Sequence, residues 1–287
     1  MFKGCLVALV TPMHKDGSID YDSFARLLDW HCEQGTDGIV VLGTTGESAT
    51  ISDKERSELV RLSVARLKGK IPVIVGTGAN ATSHAIELTK NAHALGADAA
   101  LLVTPYYNKP TQEGLFQHYS AVAKAVNIPQ ILYNVPSRTA CDLLPKTVAR
   151  LSALSNIVGV KEATGSIERL KELKALNIPM DFLSGDDSTA LEFMLTGGDG
   201  VISVVANVAP KLTHQMCRAA LSGDVAGAKS IDQKLSPLYK SLFAESNPIP
   251  TKWALEKMGL IQSGIRLPLT ALDPAYHAQV ESAMQLL

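Results

Sequence analysis

The chain has 287 residues, 46% of them apolar, and carries 27 Lys and Arg against 28 Asp and Glu. A formal net charge of -1 leaves no electrostatic footprint for nucleic acid or an anionic membrane, and the apolar content excludes intrinsic disorder. The length suits a single α/β barrel with a large core, and a metabolic enzyme with small-molecule substrates fits the charge balance best.

From the N-terminus, Met1-Phe2-Lys3-Gly4-Cys5 leads into an apolar run at 6–10 that Thr11-Pro12 ends. That run is too short for a signal-peptide core, and no segment approaches membrane-spanning length. Cys5, Cys32, Cys141 and Cys217 are far apart and form no CxxC pair, so reduced thiols in a cytoplasmic protein are expected.

Seven further Val/Ile/Leu-rich runs follow, at 38–42, 72–75, 99–103, 130–133, 157–160, 181–184 and 201–204. The segments between most of them read as helices. Ser52-Asp53-Lys54-Glu55 is a capping box opening a helix to about residue 67, and Ala81-Thr82 opens another to Ala94, closed by Gly96. Strands alternating with helices pair in parallel, and parallel strands buried on both faces read as continuous apolar runs. Eight such units predict a (β/α)₈ TIM barrel. A doubly wound open sheet competes, but no Gly-rich dinucleotide fingerprint follows the first strand. Helical patterns at 207–222, 224–243, 250–258 and 275–287 complete the barrel and add a C-terminal helical extension. The expected organisation is a barrel over 1–222 and an extension over 223–287, packed as one unit.

In such barrels the active site lies at the carboxyl ends of the strands. Lys161 ends the sixth run, Ile157-Val158-Gly159-Val160. An ammonium that loses its water titrates lower, towards the range where the neutral nucleophile exists. Strand alternation places Lys161 on the face of Gly159 and Ile157, and Gly159 leaves room for the lysine stem. The sharp reading is a Schiff-base lysine that condenses with a carbonyl substrate; the bland one is a lysine snorkelling from a strand end. Tyr133 ends the neighbouring run, where its phenol can shuttle protons during carbinolamine formation and dehydration. The bland reading there is an amphipathic core tyrosine.

Gly43-Thr44-Thr45-Gly46-Glu47 follows the second run; its glycines permit a tight turn whose N–H groups and hydroxyls suit a small carboxylate. An ordinary strand-to-helix turn is the alternative. Arg138, in Val135-Pro136-Ser137-Arg138-Thr139, matches a second carboxylate bidentately unless it is simply a solvated surface arginine. Tyr106-Tyr107, after the fourth run, is either an interface plug or part of the site. The seven histidines are scattered without ligand spacing, so no metal is expected.

Together, Gly43-Thr44-Thr45-Gly46-Glu47-Ser48, Thr104-Pro105-Tyr106-Tyr107-Asn108-Lys109-Pro110, Tyr133-Asn134-Val135-Pro136-Ser137-Arg138-Thr139 and Gly159-Val160-Lys161-Glu162-Ala163 resemble the dihydrodipicolinate synthase family. This family belongs to the pyruvate-dependent class I aldolases, which include N-acetylneuraminate lyase, and the resemblance spans essentially the whole chain. It implies that Lys161 forms an imine with pyruvate, and that Tyr133, Thr44 and Tyr107 relay protons, Tyr107 reaching in from a neighbouring subunit. It also implies that Thr45 holds the pyruvate carboxylate, that Gly185 and the Ile202 backbone line the pocket, and that Arg138 receives the carboxylate of aspartate semialdehyde. No cofactor is implied, because the lysine is the electron sink. A homotetramer built as a dimer of dimers is implied as well.

Two other readings stand beside this one. Sialate and keto-deoxy-sugar-acid lyases share the imine chemistry but generally lack an arginine at the position of Arg138. A non-catalytic metabolite-binding barrel would lack Lys161 or Tyr133. The resemblance also implies a regulatory lysine pocket formed by Ser48, Ala49, Asn80, Tyr106 and the position of His84. Lysine-inhibited relatives carry glutamate where this chain has His84, and commonly histidines where it has Asp53 and Arg56. Loss of that anion disfavours a ligand with two ammonium groups, so weak or absent lysine inhibition is expected.

Overall fold

The computed structural model describes residues 1–286. Eight parallel strands form a closed barrel: β1 Gly4–Ala8, β2 Gly38–Val41, β3 Val73–Gly76, β4 Ala99–Val103, β5 Gln130–Asn134, β6 Ile157–Glu162, β7 Asp181–Ser184 and β8 Gly200–Ser203. Each strand pairs with its sequence neighbours, and β8 returns to β1. The expected strands are all present, with ends shifted by one or two residues.

Helices α1 Tyr21–Glu33, α2 Asp53–Leu67, α3 Thr82–Ala94, α4 Gln112–Ala125, the short α5 Pro136–Thr139, α6 Pro145–Leu151, α7 Ile167–Ala175 and α8 Ala190–Leu195 lie between the strands. The capping box is formed as read: Ser52 accepts from the Glu55 N–H while Glu55 returns to the Ser52 N–H. Beyond β8 come α9 Pro210–Ser222, α10 Val225–Ser241, α11 Ile249–Lys257 and α12 His277–Met284. Helix α9 packs on β1, and α10 packs on α9 and α12. The expected helix at 275–287 is preceded by a 3₁₀ turn, Pro274–Tyr276, and its last residue lies outside the described residues.

The core has an inner and an outer layer. Leu6, Val40, Ile74, Leu101, Ile131, Leu183 and Ile202 fill the barrel, while Leu102, Leu132, Val160 and Phe182 pack against helices. This alternation along each strand explains why the runs are apolar throughout.

One local expectation is overturned. Gln130 pairs with Ile157 but Ile131 pairs with Gly159, so Val158 is an extra residue in β6. That bulge turns Ile157 out towards the helices, where it packs in the cluster of Val160, and removes it from the face of Lys161.

Candidate active site

A cleft of about 280 Å³ opens at the carboxyl ends of the strands. Thr44, Thr45, Tyr133, Arg138, Lys161 and Gly185 all line it, together with Ser137, Asp186, Val204, Phe243 and Asn247. Lys161 is buried and paired in register with Tyr133 of β5 and Leu183 of β7. Its Nζ lies 4.3 Å from the centre of the Tyr133 ring, and it forms no ion pair among the described residues. The other buried lysine, Lys252, is closed off by Glu47, whose Oε1 is 2.5 Å away. Of the two, only Lys161 presents its amine to the cleft.

Room for the lysine stem comes from a different glycine than expected. A Cβ at Gly185 would lie 3.0 Å from Lys161 Cε and 2.6 Å from Ala163 Cβ, so a side chain there would displace the lysine. A Cβ at Gly159 would instead meet the backbone oxygen of Asp181 at 3.0 Å. Gly159 lets β7 approach; Gly185 makes space for Lys161.

The turn after β2 is held in a strained form. Leu42 adopts a left-handed φ of 58° directly against Gly76, where a Cβ would fall 2.0 Å from the Leu42 oxygen. Gly46 and Ser48 then donate to Gly43 O at 3.1 and 3.3 Å, and Glu47 donates to Thr44 O at 3.0 Å. These three N–H groups close the turn, while those of Thr44 and Thr45 have no partner among the described residues and stay available for a carboxylate. The hydroxyls remain. Thr45 Oγ1 accepts from Asn247 Nδ2 at 2.9 Å, which leaves its own proton free to donate.

Arg138 lies in α5 on the rim, exposed in the single chain, and donates from Nη2 to the Asn247 carbonyl at 3.3 Å. The Ile202 side chain is buried inside the barrel, and Val204, two residues further along, lines the cleft. Tyr107 is also outside this chain's cleft. Its side chain is 90% exposed on a backbone with φ of 75°.

On the outer side of β5 and β6, Asn134 Nδ2 donates to Glu162 Oε2 at 3.0 Å, with Arg169 Nη1 3.7 Å from the same carboxylate. Burial pushes the Glu162 carboxyl above its usual range, while the Asn134 and Thr164 hydrogen bonds oppose that shift. This brace clamps the two strands that carry Tyr133 and Lys161.

The residues read as regulatory lie beside the Tyr106 loop. Asn80 Nδ2 donates to Tyr106 O at 3.3 Å, and Asn108 Nδ2 donates to Asn80 O at 2.8 Å. Ser48 and Ala49 form the short turn before α2. His84 is exposed with Nδ1 3.7 Å from Glu87, and Asp53 is exposed as well. Arg56 is buried, with Nη1 unpartnered among the described residues and its pKa lowered by burial.

Sequence reasoning missed Asn247 and Phe243. Both come from the segment after α10, and the Asn247–Thr45 contact joins residues 202 positions apart. No local pattern in Asn247-Pro248-Ile249-Pro250 points to the cleft.

The whole sequence, residues 1–287, matches the Dihydrodipicolinate synthetase family. The chain belongs to that family. It is 62% identical over 285 residues to the 4-hydroxy-tetrahydrodipicolinate synthase of Coxiella burnetii, covering 99% of this chain and 98% of that one. The enzyme of the same name from Methylococcus capsulatus is 61% identical, with the same coverage. In three dimensions the chain superposes with a TM-score of 0.98 on the chloride-inhibited dihydrodipicolinate synthase of Acinetobacter baumannii complexed with pyruvate. That enzyme is 53% identical, and the match covers 100% of this chain and 99% of the other. The family membership and the barrel agree with the expectations drawn from the strand-end motifs.

Proposed function

We propose that this chain is a lyase, a 4-hydroxy-tetrahydrodipicolinate synthase, that condenses pyruvate with L-aspartate 4-semialdehyde in the diaminopimelate branch of lysine biosynthesis. The observation that carries the site assignment is Lys161: a buried amine without a carboxylate partner, facing a cleft and directly opposite a tyrosine.

The neutral Lys161 amine attacks the keto carbon of pyruvate, and the carbinolamine loses water to give a protonated imine. Tyr133 passes protons to and from that oxygen, with Thr44, which lines the same cleft, and Tyr107 completing the relay. The iminium nitrogen draws electron density from the methyl carbon, which loses a proton to form the enamine. This carbon attacks the aldehyde of the semialdehyde. The amine of the second substrate then closes on the imine carbon and expels Lys161, regenerating the enzyme. Thr45 donates its hydroxyl proton to the pyruvate carboxylate, Gly185 keeps the lysine clear, and Arg138 takes the carboxylate of the semialdehyde.

Tyr107 supports an assembly rather than a single-chain site. A tyrosine held at positive φ with its ring 90% exposed gains nothing in isolation, and a second copy covering this loop would bury it. A dimer completed through Tyr107 follows from this reading, and the family resemblance implies that two such dimers pair into a homotetramer. No helix among the described residues is long and apolar enough to cross a membrane. We place the enzyme in the cytoplasm, where its four unpaired thiols stay reduced.

The direct test is borohydride reduction in the presence of labelled pyruvate. One label per chain, mapped to Lys161, is expected; a label on another lysine, or none, overturns the assignment. Rates with semialdehyde against sugar aldehydes then separate the synthase from a sugar-acid lyase.

A further inference from the structure

The C-terminal extension reaches into the strand-end turns at two points. Asn247, buried just before α11, donates from Nδ2 to Thr45 Oγ1 at 2.9 Å and accepts from Arg138 Nη2 at its carbonyl at 3.3 Å. In α11 itself, Lys252 Nζ sits 2.5 Å from Glu47 Oε1. Both members of that pair are only 4% exposed. Glu47 stands two residues beyond Thr45 with a left-handed φ of 56°, and its other oxygen accepts from the Arg266 N–H at 3.3 Å.

Stability alone does not account for a charged pair at this depth. Removing two ions from water roughly cancels their attraction, and an apolar pair of similar volume would serve as well or better. What a buried pair supplies is a defined geometry. The segment from Gly43 to Gly46 lies between two residues in unfavourable backbone conformations, Leu42 and Glu47. Gly76 accommodates the first. At the second, a relaxed backbone would carry Thr44 and Thr45 away from Lys161, and the Lys252 contact opposes that relaxation. Because Asn247 donates to Thr45 Oγ1, it also directs the threonine proton away from the extension and towards the cleft.

We propose that Lys252 and Asn247 are positioning residues for pyruvate: the extension holds the turn after β2 so that the barrel's carboxylate seat is complete. This rests on the reading of Thr45 as the group that binds the pyruvate carboxylate.

The test uses the full chain and four variants: Lys252→Met, Lys252→Arg, Glu47→Gln combined with Lys252→Met, and Thr45→Val. Lys252→Met is expected to raise the KM for pyruvate roughly tenfold or more. The KM for the semialdehyde should stay within about twofold. Lys252→Arg should restore most of the pyruvate affinity. The double variant leaves no buried charge unpaired, so its urea midpoint should return to the wild-type value while its pyruvate KM stays high. A wild-type pyruvate KM in the double variant, with Thr45→Val strongly impaired, overturns the positioning role alone. Loss of rate that simply tracks the urea midpoint in both Lys252 variants assigns the pair to stability and also overturns it. If Thr45→Val binds pyruvate normally, the reading of the carboxylate seat fails, and this proposal with it.

Discussion

Tyr133 and Lys161 stand directly opposite each other on adjacent parallel strands, with the lysine Nζ 4.3 Å from the centre of the tyrosine ring. The register that creates this pair is set lower in the barrel, where the bulge at Val158 shifts β6 by one residue against β5. With regular pairing from Gln130–Ile157 onwards, Val160 would stand opposite Tyr133 and Lys161 would point to the other face of the sheet. The brace of Asn134 on Glu162, one residue further on, locks the register from outside.

Lys161→Ala is expected to abolish turnover by removing the nucleophile. Lys161→Arg should fail almost as completely, because a guanidinium stays protonated and forms no imine. Appreciable activity in either, in preparations free of wild-type enzyme, would sink the mechanism.

Tyr107→Phe should lose rate while the fold stays intact, since the side chain is exposed in the single chain. If the phenol acts across an interface, mixing Tyr107→Phe chains with Lys161→Ala chains restores activity in mixed dimers. Absence of complementation, with subunit exchange demonstrated, would place Tyr107 within its own chain or give it only a packing role.

Arg138→Ala should raise the KM for the semialdehyde about tenfold or more, the size expected for loss of a charged hydrogen bond. Borohydride trapping of pyruvate should be unaffected. An equal fall in trapping would mean that Arg138, through its bond to the Asn247 carbonyl, supports the cleft instead.

Feedback by lysine is expected to be weak or absent. The buried Arg56 guanidinium has Nη1 unpartnered among the described residues, and the attraction of Asp53 counters its burial only in part. His84 supplies no fixed anion for an ammonium group. Activity titrated with lysine at saturating pyruvate and mildly alkaline pH decides the point, and strong sub-millimolar inhibition would refute it.

Stability should fall as pH drops below neutrality. His31 is fully buried in α1, and burial lowers its pKa to about 3 from 6.5. The unfolded chain takes up a proton that the folded chain excludes, so the full contribution is present above pH 6.5 and is lost progressively towards pH 3. His31→Asn, which can keep the contact that Nδ1 makes to Thr36 Oγ1, should flatten the slope of unfolding free energy below pH 6.5. The expected change is about 1.4 kcal/mol per pH unit at fixed protein concentration. An unchanged slope in urea titrations would show that His31 is not the group responsible.

The linear sequence determined the barrel and most of its site. Eight apolar runs buried on both faces, alternating with capped helices, leave few other arrangements, and parallel strands bring their carboxyl ends to one rim. Thr44, Thr45, Tyr133, Arg138, Lys161 and Gly185 were therefore readable as convergent before any packing was known. The Ile202 side chain fills the barrel below the cleft, and Val204, two residues further along, reaches the cleft itself. The tertiary structure alone decided three further matters. A bulge, not simple alternation, sets the face of β6, and this depends on how β5 is spaced against it. Gly185 rather than Gly159 clears the lysine, because the relevant neighbour lies on another strand. Asn247 and Lys252 reach the turn after β2 from an extension about 200 residues away in sequence, a contact made by packing and carried by no local periodicity.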